Sequence, residues 1–418
     1  MDLTIKPAPL RGTVAAIPSK SEAHRLLILA ALADAPTEIG LAPGSGEDIE
    51  RTLSCLQAIG AVVSRSENSI RVMPPSQAAP SPRFPCGESG STLRFMLPVA
   101  AALCGGGHFS GSGRLPERPL GELAAALKKQ GMAFSGDRLP FTVSGKLRPG
   151  EYLLPGNVSS QYVSGLLLAL PLLPGASTIR LSGPLESSGY VEMTLGALRR
   201  FGIAVRVSGS RYHIPGGRRY RSPQKVSVEG DWSNASFFLA AGALGGPVAV
   251  EGLDYSSLQG DKAMAPLLAR FGALTEISGG RVTVSGGALR GCEIDLRQIP
   301  DLLPVLAAVA ASADGTTTFY GAARLRYKES DRIASTAALI NALGGRAAGH
   351  GERLVVRGGK IAGGVVQSFN DHRIAMAAAI AAVRAAKPVT IVDAGAVNKS
   401  YPTFFDHYLE LGGTVDGF

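Results

Sequence analysis

Apolar and polar positions along this chain recur with a long period. A string of one apolar residue, three others and a glycine appears six times, at 56–60, 127–131, 198–202, 268–272, 340–344 and 408–412. Each glycine closes a stretch of helical periodicity and precedes a short strand-like run such as 61–63 or 203–207. That is the pattern of a helix stopped by a left-handed glycine cap before a strand. A second series is sharper: a polar start leads into an Ala/Leu-rich run at Lys20, Gly90, Ser160, Asp231, Asp301 and Asp371. Further helix starts fall near Asp48, Arg118, Tyr190, Asp261, Asp331 and Pro402. All of these series share a period of about 70 residues, so six units account for nearly the whole chain, each with two helices and several short strands. The runs that follow the polar starts are apolar nearly all round, which predicts helices buried within their domains.

The expected fold class is therefore α/β, with six βαβαββ-like repeats, three in each of two domains. A chain of 418 residues exceeds the size at which one core keeps growing. The repeats place the boundaries at residues 19–229 for one domain and 230–418 for the other; the leading strand, 1–18, can pair with either and is assigned to the latter. Helix N-termini carry unpaired N–H groups and partial positive charge. Three repeats related by rotation point their helix starts the same way, and a cleft between two such domains would collect anion sites from both sides.

Composition narrows what those anions are. The net charge is +9, yet no basic run of five or more occurs and only 6% of residues are aromatic, which argues against nucleic acid and for small acidic ligands. Residues 1–12 lack an apolar run after a basic start, and the longest aliphatic stretch, 165–173, is broken by Pro171, so neither a signal peptide nor a membrane span is expected. Cys55, Cys86, Cys104 and Cys292 form no CxxC pair, which suits a reduced, cytoplasmic protein without a structural metal.

The basic residues sit at the element boundaries. Pro18 to Arg25 groups Lys20 and Ser21 with His24 or Arg25 on one helical face, suited to a carboxylate or phosphate. Ser89, Gly90, Ser91 and Thr92, with Arg94, form a phosphate-cradling type of turn, although neither GxxxxGK[ST] nor GxGxxG. Ser159, Ser160 and Gln161 offer two hydroxyls and an amide at another start; a plain N-cap explains the serines equally well. Arg118 precedes one helix, with Ser187 and Tyr190 in the matching place of the next repeat. Lys328, Glu329 and Arg332 come from LRYKESDR, Arg373 from NDHR and Lys399 from NKSYP. Asp301 and Glu329 flank this basic set and are the acid/base candidates. His372 is either a general base or a structural histidine, capping or core, the structural reading being preferred.

At this point the residues resemble a known family. PSKSEAHR (18–25), ESGSTLRF (88–95), LPERPLG (115–121), SSQY (159–162), EGDWSNASFFLAA (229–241), IPDLLPVLA (299–307), YKESDR (327–332), NDHRIAMA (370–377) and NKSYPTFF (398–405) are similar, in order and from end to end, to the EPSP synthases among the enolpyruvyl transferases. The resemblance implies the two-domain inside-out α/β barrel of that fold. It also implies transfer of the enolpyruvyl group of phosphoenolpyruvate to the 5-hydroxyl of shikimate 3-phosphate, with no metal or organic cofactor, by a monomer with only small-molecule partners. Ser159, Ser160 and Ser187 would hold the shikimate phosphate and Ser21 and Arg25 its carboxylate, while Lys20, Gln161, Asp301 and Lys328 would meet its ring and hydroxyls. Phosphoenolpyruvate would lie among Lys20, Gly90, Arg118, Gln161, Arg332, Arg373 and Lys399. Glu329 and Asp301 would share the proton transfers, with Lys20 and Lys328 stabilising developing charge. Two positions depart from the family pattern: Glu88 and Arg324 each stand where Asn is common. The related UDP-N-acetylglucosamine enolpyruvyltransferases carry a loop cysteine that would fall near 111–118, and none is present.

Overall fold

The computed structural model describes residues 1–41 and 46–417. Its helices are α1 (Lys20–Ala31), α2 (Glu47–Ala58), α3 (Gly90–Leu103), α4 (Gly121–Lys129), α5 (Ser160–Ala169), α6 (Ser188–Arg200), α7 (Trp232–Leu244), α8 (Met264–Phe271), α9 (Leu303–Ala311), α10 (Arg332–Ala342), α11 (His372–Ala382) and α12 (Phe404–Glu410). The chain divides into two compact units: a host unit, Met1–Ser19 with Glu229–Phe418, and an inserted unit, Lys20–Val228.

Each repeat builds one four-stranded sheet. In the most regular example, Arg83–Pro85 lies parallel to Gly106–Ser110 with α3 as the crossover. Phe141–Gly145 then pairs antiparallel to Gly106–Ser110, and Met132–Phe134 pairs with Phe141–Gly145 at the edge. That is β-α-β-α-β-β, with sheet order first, second, fourth, third. The repeat of α5 and α6 and that of α9 and α10 follow the same plan.

Three repeats are completed by distant strands. Lys225–Ser227 runs parallel to Thr37–Gly40 and supplies the first strand of the repeat that opens with α1. Gly12–Ala15 does the same for Val248–Glu251. Leu3–Lys6 pairs antiparallel with both Val389–Val392 and Thr414–Asp416.

Every residue of α7, α9 and α11 is buried, and these three helices pack on one another inside the host unit. In the inserted unit α3 packs on α5, and α1 is buried from Glu22 onward. Each unit encloses its own apolar core. A helix surrounded on all sides needs apolar residues on all sides, which is why these six lack an amphipathic stripe. The outer helix α8, by contrast, buries only Met264, Ala265, Leu268 and Phe271, an i, i+1, i+4, i+7 face.

The glycine series has a conformational basis. Gly60, Gly131, Gly202, Gly272, Gly344 and Gly412 all have φ between +78° and +105°. An L side chain is strained there, so the helix ends are fixed at glycine six times over.

Candidate anion-binding and proton-transfer site

In the inserted unit, the polar side chains gather at the N-termini of α1, α3 and α5. Lys20 opens α1 and its Nζ lies 2.7 Å from Asp48 Oδ2, both side chains being 15% exposed. Asp48 stands in the first turn of α2, where the helix N-terminus favours a carboxylate. Behind this pair runs a buried hydroxyl chain: His24 Nδ1 to Thr52 Oγ1 at 2.7 Å, Thr52 Oγ1 to Thr92 Oγ1 at 2.7 Å, and Thr92 Oγ1 to Ser89 Oγ at 2.8 Å. Ser89 caps α3 by accepting from Thr92 N.

His24 is thereby removed from the anion-binding set. Burial lowers its pKa to about 3, with Asp48 opposing and Lys20 and Arg25 adding, so the ring is neutral. Arg25 is only 2% exposed. Its guanidinium donates to Ser21 O, Thr194 Oγ1, Tyr190 O and Ser164 Oγ, leaving one N–H of five for a ligand. Burial lowers the Arg25 pKa to about 10, so it stays charged at neutral pH.

Two guanidiniums converge on the start of α3. A Cβ placed on Gly90 would lie 2.5 Å from Arg94 Nη1 and 2.8 Å from Arg118 Nη1. Arg94 donates to Gln161 Oε1 and to Pro119 O, each at 3.0 Å, and Gln161 Nε2 donates to Ser91 Oγ at 2.9 Å. Gly90, Arg118 and Gln161 therefore belong to one cluster, with Arg94 as the tie between them. Ser159 caps α5 by accepting from Gln161 N, with the buried Ser160 beside it. Ser187 heads α6 in a left-handed conformation, φ 54°, an uncommon one for a serine. Glu88 turns its carboxyl onto Gly113, whose Cβ position would be 2.5 Å from Glu88 Oε2.

The host unit holds a denser cluster. Arg332, 1% exposed, donates to Asp301 Oδ1 at 2.6 Å, to Glu329 Oε2 at 2.6 Å and to Asp371 Oδ2 at 2.9 Å. Lys328 Nζ reaches Asp301 Oδ1 at 3.1 Å, and Arg373 Nη2 lies 3.8 Å from Asp301 Oδ2. Burial alone would raise the Asp301 carboxyl, but Lys328, Arg373 and Arg332 hold it well below the usual carboxylate range. Asp301 is thus an ionised acceptor ringed by three cations. Lys399 Nζ donates to Asn370 O at 2.6 Å and Oδ1 at 2.7 Å, at the turn before α11. Phe369 and Asn370 both take positive φ in that turn. His372 is buried, its Nδ1 3.9 Å from Asp371 Oδ1. Arg324, the second departure, donates to Arg297 O at 2.8 Å.

The cations, together with Asp301 and Glu329, were visible as candidates in the sequence; their other carboxylate partners were not. Asp48, Asp261 and Asp371 appeared there only as helix starts, Asp371 also within NDHR, and Ser233 only within EGDWSNAS. The usable signal was period equivalence, since Asp48 and Asp261 occupy matching places of their repeats. Among the described residues, no group of three His, Cys, Asp or Glu side chains is placed to hold a metal, and no helix is long and apolar enough to cross a membrane.

A profile of the family EPSP synthase (3-phosphoshikimate 1-carboxyvinyltransferase) matches residues 5–408. The 3-phosphoshikimate 1-carboxyvinyltransferase of Clostridium kluyveri is 40% identical over 99% of this chain and 98% of its own length. That of Methanocorpusculum labreanum is 38% identical over 99% of both. Among solved structures, EPSP synthase from Acinetobacter baumannii superposes with a TM-score of 0.82 at 26% identity, covering 99% of each chain. The enolpyruvyl transferase NikO from Streptomyces tendae shares the fold, with a TM-score of 0.80 at 19% identity over 99% of this chain and 98% of its own.

Proposed function

This chain belongs to the EPSP synthase (3-phosphoshikimate 1-carboxyvinyltransferase) family, and from that premise we propose how its own residues carry the reaction. The enolpyruvyl group of phosphoenolpyruvate passes to the 5-hydroxyl of shikimate 3-phosphate and phosphate is released, a step toward chorismate and the aromatic amino acids. The observation that carries the division of labour is Asp301, an ionised carboxylate held by Lys328 and Arg332 beside Arg373.

The inserted unit serves as the shikimate 3-phosphate domain. Ser159, Ser160 and Ser187 hold the phosphate, Ser21 and Arg25 the carboxylate, and Gln161 and Lys20 the ring hydroxyls. From the host unit, Asp301 and Lys328 meet the reacting hydroxyl. Phosphoenolpyruvate is held by Lys20, Gly90, Arg118, Gln161, Arg332, Arg373 and Lys399; arginine forks match carboxylate and phosphate, and the lysines act as mobile point charges.

In the forward step Asp301 accepts the proton of the 5-hydroxyl as its oxygen attacks C2 of phosphoenolpyruvate, while Glu329 delivers a proton to the methylene carbon. The tetrahedral adduct then returns a proton from its new methyl group to the Glu329 carboxylate as the C–O bond to phosphate breaks, and Asp301 gives its proton to the departing phosphate. Lys20 and Lys328 offset the negative charge that builds on oxygen in both steps. The cytoplasm is the proposed compartment, supported by four cysteines that form no disulfide. A monomer is proposed because each unit closes its own core.

Purified protein mixed with shikimate 3-phosphate and phosphoenolpyruvate should release phosphate only when both are present. Release with another phosphorylated acceptor, and none with shikimate 3-phosphate, would remove the assignment. Within the donor site, Gly90→Ala places a methyl group where Arg94 and Arg118 now converge. Displacing those forks is expected to raise KM for phosphoenolpyruvate roughly tenfold or more, with a smaller effect on kcat. An unchanged KM in steady-state kinetics with varied phosphoenolpyruvate would take Gly90 out of the donor site.

A further inference from the structure

One buried acid of the host unit has no part in the scheme above. Asp261 lies in the 3₁₀ turn Gly260–Ala263 that leads into α8, and is 3% exposed. Its Oδ2 accepts the hydroxyl proton of Ser233, in the first turn of α7. Ser233 Oγ in turn accepts from Arg373 Nη2 at 2.8 Å. Both donors therefore point one way, from guanidinium to hydroxyl to carboxylate. Among the described residues, Asp261 Oδ1, equally buried, has no hydrogen-bond partner.

A buried carboxylate with one oxygen unsatisfied is costly to keep, and such groups in native proteins call for an explanation. A merely structural acceptor for Ser233 needs no charge; asparagine would serve. The surroundings confirm the cost: burial foremost, then Asp301, push the Asp261 carboxyl up to about 6, with Asp231 adding and Arg373 and Ser233 opposing. The carboxyl group faces, through Ser233, the one arginine of this cluster that touches that hydroxyl. Arg373 has further anchors in the Asp301 carbonyl, at 3.3 Å, and the Asp301 carboxylate. Asp301 belongs to the proposed reacting groups, whereas Ser233 and Asp261 do not, and of the contacts to Arg373 the one from Nη2 to Ser233 is the shortest.

We propose that Asp261 is a positioning residue: through Ser233 it fixes the guanidinium of Arg373 and so sets the affinity for phosphoenolpyruvate. The inference rests on Arg373 holding that substrate. Asp261 touches neither substrate; it acts only by keeping Ser233 Oγ turned toward Arg373. The carboxylate polarises the hydroxyl and holds its rotamer, and the hydroxyl lone pair then orients the fork.

The test compares Asp261→Asn, Ser233→Ala, the double variant and Arg373→Ala in the full chain by steady-state kinetics with each substrate varied, together with thermal unfolding. Asp261→Asn is expected to raise KM for phosphoenolpyruvate roughly tenfold, leave kcat and KM for shikimate 3-phosphate nearly unchanged, and leave Tm equal or higher because the buried charge is gone. Ser233→Ala removes a single oxygen and provides the same readout should Asp261→Asn not accumulate as folded protein. The double variant is expected to be no worse than either single one, since both cut one chain. Additive losses, or a fall in kcat and Tm with both KM values moving together, would overturn the proposal. Arg373→Ala separates the two levels: if it leaves KM for phosphoenolpyruvate unchanged, the donor-site reading fails and the relay with it. If it raises that KM while Asp261→Asn does not, only the relay fails.

Discussion

Asp301→Asn is expected to lower kcat by roughly a thousandfold, with far smaller changes in either KM. The amide is nearly isosteric and can still accept from Lys328 and Arg332, so the site keeps its shape. What it loses is the ability to take a proton. There is a tension in the wild-type site, however. A carboxylate held well below its ordinary pKa by Lys328, Arg373 and Arg332 is a weak base. In the proposed scheme substrate binding relieves it: the phosphate and carboxylate groups of the two substrates would neutralise those same cations, and the proton affinity of Asp301 would rise when the hydroxyl must ionise. The acid limb of kcat should accordingly lie at higher pH than the acid limb of kcat/KM. A kcat for Asp301→Asn within about tenfold of wild type, measured by phosphate release, would assign the proton to another group.

Arg332→Met should be the most damaging change to stability in the host unit. It keeps the volume but leaves Asp301, Glu329 and Asp371 without the guanidinium that joins them. Removing one partner of a buried ionic cluster costs about 3–5 kcal/mol. The pH dependence has a definite sign. The folded-state pKa of Asp301 lies below its unfolded value, so its contribution is present above about pH 4 and is lost as the pH falls through the folded value. The variant is therefore expected to lose most at neutral pH and to approach wild type in acid, where the carboxylates are protonated. Urea unfolding at both pH values checks this, and a neutral-pH loss below about 1 kcal/mol would show that the three carboxylates find other partners.

Much of the fold was legible because its signals are local. A glycine forced into positive φ and a polar start to an apolar helix are each decided within a few residues, and both recur six times. The completing strands were not legible: Thr4 and Thr390 share a hydrogen bond across a separation of 386 residues, and no pattern within either strand specifies it. The site divides along the same line. Lysines and arginines at helix starts stand out from an apolar background, and those named are clustered as side chains in their own units. Which carboxylate each one meets depends on tertiary packing, so Asp48, Asp371 and Asp261 stayed unassigned. His24 shows the opposite error, since a basic residue type on the expected face is neutral once Thr52 and burial are taken into account.

The strand Leu3–Lys6 also imposes an order on biosynthesis. On the ribosome it emerges long before Val389–Val392 and Thr414–Asp416, the two strands between which it finally lies. The inserted unit draws every strand from its own 20–228 span and can complete its sheets while synthesis continues. The host unit must instead keep Leu3–Lys6 uncommitted until residues 389–416 have been made, so it is the unit with the longer need of chaperone protection.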